Sequence, residues 1–250
     1  MGKTNYDMYH FKAKETLVFT IQGLGLIGCI SYFFYHSIYA FLLGVPLLIP
    51  FLKRKKATCM KKRKEQLTLQ FKDAIQAFSA ALSVGYSIEN AWKEAYVDMK
   101  LLYQEKDDIM VEFSYMLRQM DNNEVIEVLL SDFAKRSRIS DIADFAQIFA
   151  IAKRSGGDLK GIIKKSVNTI CDKIEVKREI QTSLASRKYE QKVMNAIPIG
   201  IIAYISLTNP HYFDTLYHNP GGILIMSICL IIYGVAFLMA EKITEIEVEG

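Results

Sequence analysis

At 250 residues, with 51% hydrophobic side chains, five prolines and a formal net charge of +4, the chain is more apolar than an ordinary soluble protein. The excess is segregated: residues 17–52 hold no Asp, Glu, Lys or Arg, and residues 193–240 hold only Asp214. About 80 nearly uncharged residues exceed what one soluble core of this size can hide, which excludes an ordinary soluble enzyme, a disordered chain and a charged-tail protein.

In chain order, residues 1–16 read as a polar tail and residues 17–52 as a membrane hairpin. Leu17 to Tyr35 is long enough for one helical crossing, and Ile38 to Leu52 is a shorter second run beyond His36 and Ser37. Lys12 and Lys14 followed by Leu26-Ile27-Gly28-Cys29 imitate a lipoprotein signal, but the apolar run continues past Cys29, so the segment reads as a span. Two basic tetrads follow, Lys53-Arg54-Lys55-Lys56 and Lys61-Lys62-Arg63-Lys64. With Arg187, Lys188 and Lys192 before the third run, they place the middle region and both termini in the cytoplasm by the positive-inside rule. They read as topological anchors and contacts for anionic lipid, and the lack of interleaved aromatics argues against nucleic acid.

Residues 53–192 read as a cytoplasmic helical domain. No proline occurs between Glu65 and Gln191, and no period-two alternation announces strands. Leu67, Phe71, Ala74, Ile75, Phe78 and Leu82 form one apolar stripe, which Gly85 stops. Ser87 caps a second helix with Ile88, Ala91, Trp92 and Ala95 inward. A third follows Glu105 and runs to Met120 on Ile109, Phe113, Met116 and Leu117. Asp121 with Glu124 reads as the start of a fourth, burying Val125, Ile126, Leu129, Leu130 and Phe133. Ser140 and Asp141 open a fifth on Ile142, Phe145, Phe149 and Ala152, which ends at Gly156-Gly157. Asp158 caps a sixth running to about Tyr189, roughly 45 Å at 1.5 Å per residue, a geometry suited to act as a lever into the membrane.

Offset by 71 residues, Asp73, Gln76, Phe78, Ala81 and Gly85 match Asp144, Gln147, Phe149, Ala152 and Gly156, a faint repeat of a helix-glycine-helix hairpin. Val193 to about Leu207 and Gly221 to Ala240 make a second membrane hairpin over 193–240, before a cytoplasmic tail at 241–250. The expected fold is therefore an all-α integral membrane protein: four transmembrane helices in two hairpins flanking a cytoplasmic six-helix bundle.

Signals for chemistry are missing. The chain has no phosphate loop, no His-Glu-x-x-His, no Cys pair at metal spacing and no nucleophile elbow. The four cysteines are scattered, and His211, Asp214 and His218 are better read as turn residues than as metal ligands. The spans carry no ionisable pathway of the kind a transporter needs. No enzymatic activity and no cofactor is expected.

Five stretches in order carry a resemblance. Phe71-Lys72-Asp73-Ala74 leads to Leu82-Ser83-Val84-Gly85-Tyr86-Ser87-Ile88-Glu89-Asn90-Ala91; then come Ser155-Gly156-Gly157-Asp158-Leu159, Pro198, Asn209-Pro210-His211-Tyr212-Phe213 and Ile246-Glu247-Val248. Over about residues 50–248 this resembles the type II secretion system F domain family, in particular the TadB and TadC platform proteins of tight-adherence pili. The resemblance implies an inner-membrane platform without an active site, on whose helical domain a cytoplasmic secretion ATPase docks to drive pilin or pseudopilin extraction. This chain has one helical domain where two-domain relatives have two, so the resemblance also implies a paralogous partner or homo-oligomer. The motif turns Gly85, Ser87, Ser155, Gly156, Gly157, Asp158, Asn209 and Pro210 are its candidate structural or partner-contact residues. A membrane-anchored receptor or regulatory scaffold with a sensing bundle is the alternative from another class.

Overall fold

A computed structural model of the chain describes residues 6, 13–35, 37–155, 158–209, 212–213 and 219–244. Among these every regular element is helical: α1 (Ala13–Ile30), α2 (Ile38–Gly44), α3 (Leu48–Val84), α4 (Ile88–Leu102), α5 (Asp108–Asp121), α6 (Ile126–Ser137), α7 (Ser140–Ser155), α8 (Leu159–Thr208) and α9 (Pro220–Thr244). The chain divides into a core-forming unit, residues 1–10 and 56–176, and an apolar unit, residues 11–55 and 177–250. Helices α3 and α8 contribute to both.

The core-forming unit is built on helical stripes. Leu67, Phe71, Ala74, Ile75, Phe78 and Leu82 of α3 are buried, as are Ala91, Trp92, Ala95 and Met99 of α4. The i, i+3, i+4 spacing puts each set on one face, where it meets Ile109, Phe113 and Met116 of α5, Leu129, Leu130 and Phe133 of α6, Phe145 and Phe149 of α7, and Ile163, Val167 and Ile170 of α8. Each fully buried side chain of this size contributes ~1.5–3 kcal/mol. At the centre lies an aromatic stack: Phe78 lies flat on Trp92 at 4.4 Å, and Phe145 meets both Phe71 at 5.6 Å and Phe78 at 6.4 Å. Phe149 meets Phe78 at 6.0 Å, so α3 and α7 advance in the same sense across the stack. The ion pairs Lys153–Glu127 (3.0 Å) and Lys173–Asp141 (3.0 Å) tie α7 to α6 and to α8.

Two details differ from the sequence expectation. Asp121 ends α5 and does not start α6: Glu124 N–H donates to the Gln119 carbonyl, Asn123 N–H donates to that of Met120, and Asn123 takes φ +66°. That is a Schellman stop with Asn in the left-handed position, so the residues that imitate a capping box are a helix terminator. Helix α6 then begins at Ile126 behind Val125, which makes no side-chain cap and is half exposed, not buried. Helix α8 does not end near Tyr189 but continues to Thr208 through Pro198.

Among the described residues of the apolar unit two segments are long and apolar enough to cross a membrane, Lys14–Tyr35 and Pro220–Ala240, with mean hydropathy 1.8 and 2.7. The other two apolar runs take different forms. Ile38 to Leu52 is divided by a 3₁₀ turn, Val45–Leu47, containing Pro46, before α3 starts at Leu48. Val193 to Leu207 is the end of α8. Small residues let α1 pack closely: a Cβ on Gly23 would stand 2.9 Å from Leu48, and one on Gly44 would stand 2.7 Å from Ile27. Helix α1 runs into a π-helical turn, Ser31–Tyr35, where Phe34 packs on Met226 of α9 and Tyr35 shares a 2.8 Å hydrogen bond with Ser227. Tyr233 of α9 donates to the Asn195 carbonyl of α8 at 2.5 Å.

Candidate functional site

The motif turns of the sequence occupy two equivalent places. At the first, Gly85 has φ +116°, a conformation costly for any residue with a Cβ. Gly85 N–H donates to the Leu82 carbonyl and Tyr86 N–H to that of Ala81, closing α3. Ser87 Oγ then accepts from Asn90 N–H at 3.3 Å and opens α4. At the second, α7 ends at Ser155, Gly156 and Gly157 lie outside the described residues, and Asp158 Oδ1 accepts from Gly161 N–H at 2.9 Å to open α8. Ser87 and Asp158 stand 71 positions apart, the offset of the repeat, and Phe78 and Phe149, one repeat apart, touch.

The acidic repeat positions are also both engaged. Asp73 accepts from the Tyr103 hydroxyl at 2.5 Å; burial, then that hydrogen bond, push the phenol above its usual range. Asp144 lies 3.9 Å from Lys173, whose stronger partner is Asp141; that hydrogen bond holds the ammonium above the ordinary lysine value.

A cluster of buried charge lies elsewhere in the same unit and was not anticipated from sequence. Glu112 is 2% exposed and accepts two hydrogen bonds from Arg136, at 2.7 and 2.6 Å. Arg136 also donates to Asp132 at 2.8 Å. Burial works against the guanidinium's charge, but the hydrogen bonds and charges of Glu112 and Asp132 outweigh it and hold Arg136 above its usual value. Tyr6, 1% exposed, donates its hydroxyl to Glu112 at 2.7 Å. Burial, then the Glu112 charge, raise this phenol as well. The available signal was a Glu inside the apolar stripe of α5 and an Arg on α6, opposite charges at positions where a core normally admits neither.

All eight basic anchors lie on α3. Lys53, Lys56, Lys61 and Lys62 are exposed, as is Arg54, while Lys55 lies over the rings of Phe19 (5.8 Å) and Phe51 (5.6 Å). Lys64 is half-buried. Arg63 turns inward and makes two hydrogen bonds to Asp108, at 2.7 and 2.6 Å. Asn209 continues the last turn of α8 by donating to the Ile205 carbonyl, and its own carbonyl accepts from Tyr212 N–H; Pro210, His211, Asp214 and His218 lie outside the described residues.

Among the described residues no three His, Cys, Asp or Glu side chains are grouped to hold a metal ion. Cys171 is buried, and burial pushes its thiol up to about 11. Comparison with family models, with curated proteins and with solved structures finds no match. The arrangement is thus one of capped helix starts, a continuous long helix and buried ion pairs.

Proposed function

We propose that the chain is the inner-membrane platform protein of a Tad or type IV pilus-like, or type II secretion, system, coupling a cytoplasmic secretion ATPase to pilin extraction. In this reading four membrane spans in two hairpins flank a cytoplasmic six-helix bundle, both termini are cytoplasmic, and the chain itself performs no catalysis. A paralogue or second copy completes the platform, and the exposed lysines of α3 meet anionic lipid.

The observation that carries the reading is α8. Its first half supplies Ile163, Val167, Ile170, Cys171 and Ile174 to a packed core, and its last residues, 193–208, are apolar and contain Pro198, with no break between the two. A helix shared in this way transmits displacement without a flexible joint, which is what a force-coupling protein needs and a simple anchor does not. The motif turns that fall in described residues, Gly85, Ser87, Ser155, Asp158 and Asn209, lie at helix boundaries, which supports the same reading.

The test is co-purification in detergent with the secretion ATPase of the same cell, with and without a non-hydrolysable ATP analogue. Stable association in at least one nucleotide state is expected, and its absence in both would overturn the proposal. Inserting Gly-Gly after Lys177 should abolish pilus assembly at unchanged expression; retained assembly would remove the coupling role from α8.

A further inference from the structure

Helices α4 and α8 are the second arms of the two repeated hairpins, and at matching repeat positions they carry opposite charge. Glu89 and Glu94 of α4 stand 71 residues before Lys160 and Lys165 of α8. Glu89, Lys160 and Lys165 are exposed, and Glu94 is partly so. Lys93 and its counterpart Lys164 share a sign, but Lys93 is neutralised by Asp121 at 3.3 Å. The other α4 cation in this stretch, Lys100, lies over the Tyr96 ring at 4.7 Å, and Lys173 of α8 is held by Asp141 at 3.0 Å. Among the described residues Glu89, Glu94 and Asp98 have no ion-pair partner, and neither have Lys160, Lys164 and Lys165. The charge left over is therefore acidic on α4 and, against the single acid Asp172, basic on the first turns of α8.

The charges belong to mixed stripes at matching heights. Glu94, Val97 and Leu101 follow the i, i+3, i+7 spacing of one helix face, with Val97 53% and Leu101 83% exposed. Ile162, Lys165 and Thr169 follow it on α8, and all three are exposed. Helices α3 and α7 advance in the same sense across the aromatic stack. Each second arm folds back along its first: Tyr103 at the end of α4 reaches Asp73, and Lys173 well along α8 reaches Asp141 at the start of α7. Helices α4 and α8 thus run in a common direction. Glu89 and Lys160 lie one residue into their helices, and Glu94 and Lys165 follow about 7.5 Å further on.

We propose that the acidic face of α4 docks on the basic face of α8 in a second copy of this chain. Both complementary faces belong to the same unit, one to each repeat, so a second copy satisfies them without any further partner. A rotation about an axis along the helices preserves height, and so sets Glu89 against Lys160 and Glu94 against Lys165 while covering Val97 and Leu101. Apolar burial supplies adhesion, and the charges fix partner and register. The contact is heterologous: each copy offers α4 to one neighbour and α8 to the other, which closes as a ring or continues as a row. The inference rests on the proposed function for its second copy alone, and its test contains no ATPase, so failure of this contact and failure of the platform reading are told apart.

The experiment co-expresses two full-length copies with different affinity tags, extracts them in mild detergent at low salt, captures one tag and measures recovery of the other. Parent copies should recover each other, and high salt should weaken that recovery. Glu89→Lys with Glu94→Lys in both copies, or Lys160→Glu with Lys165→Glu in both, should lower recovery at least tenfold, because like charges then face each other. One copy of each variant should restore recovery to within about twofold of the parent, since every contact again joins opposite signs. No recovery between parent copies would overturn the proposal. So would unchanged recovery in both reversed pairs, the result of association through the membrane spans alone, or no restoration in the mixed pair. If the glutamate reversals alter Trp92 emission, the lysine reversals on α8 decide alone: lost recovery supports the contact and retained recovery refutes it.

Discussion

The two hairpins of the core-forming unit, α3 to α4 and α7 to α8, do the same structural work with different atoms. The Ser87 hydroxyl opens α4 by accepting from the Asn90 amide at 3.3 Å, and the Asp158 carboxylate opens α8 by accepting from the Gly161 amide at 2.9 Å. The second cap is tighter and carries a charge that the helix N-terminus favours. It also constrains its neighbour: a Cβ on Gly161 would stand 2.1 Å from Asp158 Oδ2, while the first hairpin accommodates Asn90 at the same place. One acidic repeat position is bound by a phenol, the other lies near an ammonium. Residue identity therefore underrates the likeness of the hairpins, because what repeats is the position of stops, caps and stacking rings.

Four experiments break or sharpen that equivalence. The largest effect belongs to the shared stack: Phe78→Ala and Phe149→Ala should each cost about 3–5 kcal/mol, read by denaturant unfolding on Trp92 fluorescence. If one costs less than a third of the other, the hairpins do not share the seam equally. Next comes Gly85→Ala, which forces a Cβ into φ +116° and should cost about 1–3 kcal/mol in the same assay.

The caps follow. Ser87→Ala and Asp158→Ala should each lose about 1 kcal/mol. Gly161→Ala, a change that raises helix propensity, should fail to stabilise because it evicts the Asp158 carboxylate; a higher melting temperature would show that this cap contributes little. The smallest effect is pH-dependent. The Tyr103 phenol is raised on folding, so its contribution is fully present below the unfolded value near 10 and is lost as the pH climbs toward the folded value. Tyr103→Phe should flatten the fall in stability above pH 10 and leave its shape at neutral pH unchanged; an unaltered alkaline slope would assign that fall to other groups.

What the sequence made legible was whatever obeys local rules. Gly85, Ser87 and Asp158 announce themselves because helix ends leave unpaired amides and carbonyls that only certain residues satisfy. The stripes of α3, α5 and α7 follow from spacing alone. The start of α6 was misread because Asp121 and Glu124 suit a helix start as well as the end of a preceding helix, and the left-handed Asn123 that decides between them is set by backbone conformation. Val125 has no capping side chain to mark the true boundary. Tyr6 was illegible for a different reason. Its hydroxyl partner lies 106 residues away, and no local pattern registers a contact at that separation.

Trp92 carries one further consequence. It is the single tryptophan of the chain, 1% exposed, and its indole Nε1–H has no hydrogen-bond partner among the described residues. A buried donor left unpaired costs about 1–3 kcal/mol, so Phe at this position would recover part of what the smaller ring gives up in contact. The molecule thus holds a single indole, stacked on Phe78 and 4.8 Å from the ring of Phe113. Its emission therefore reports on how α4 packs against α3 and α5.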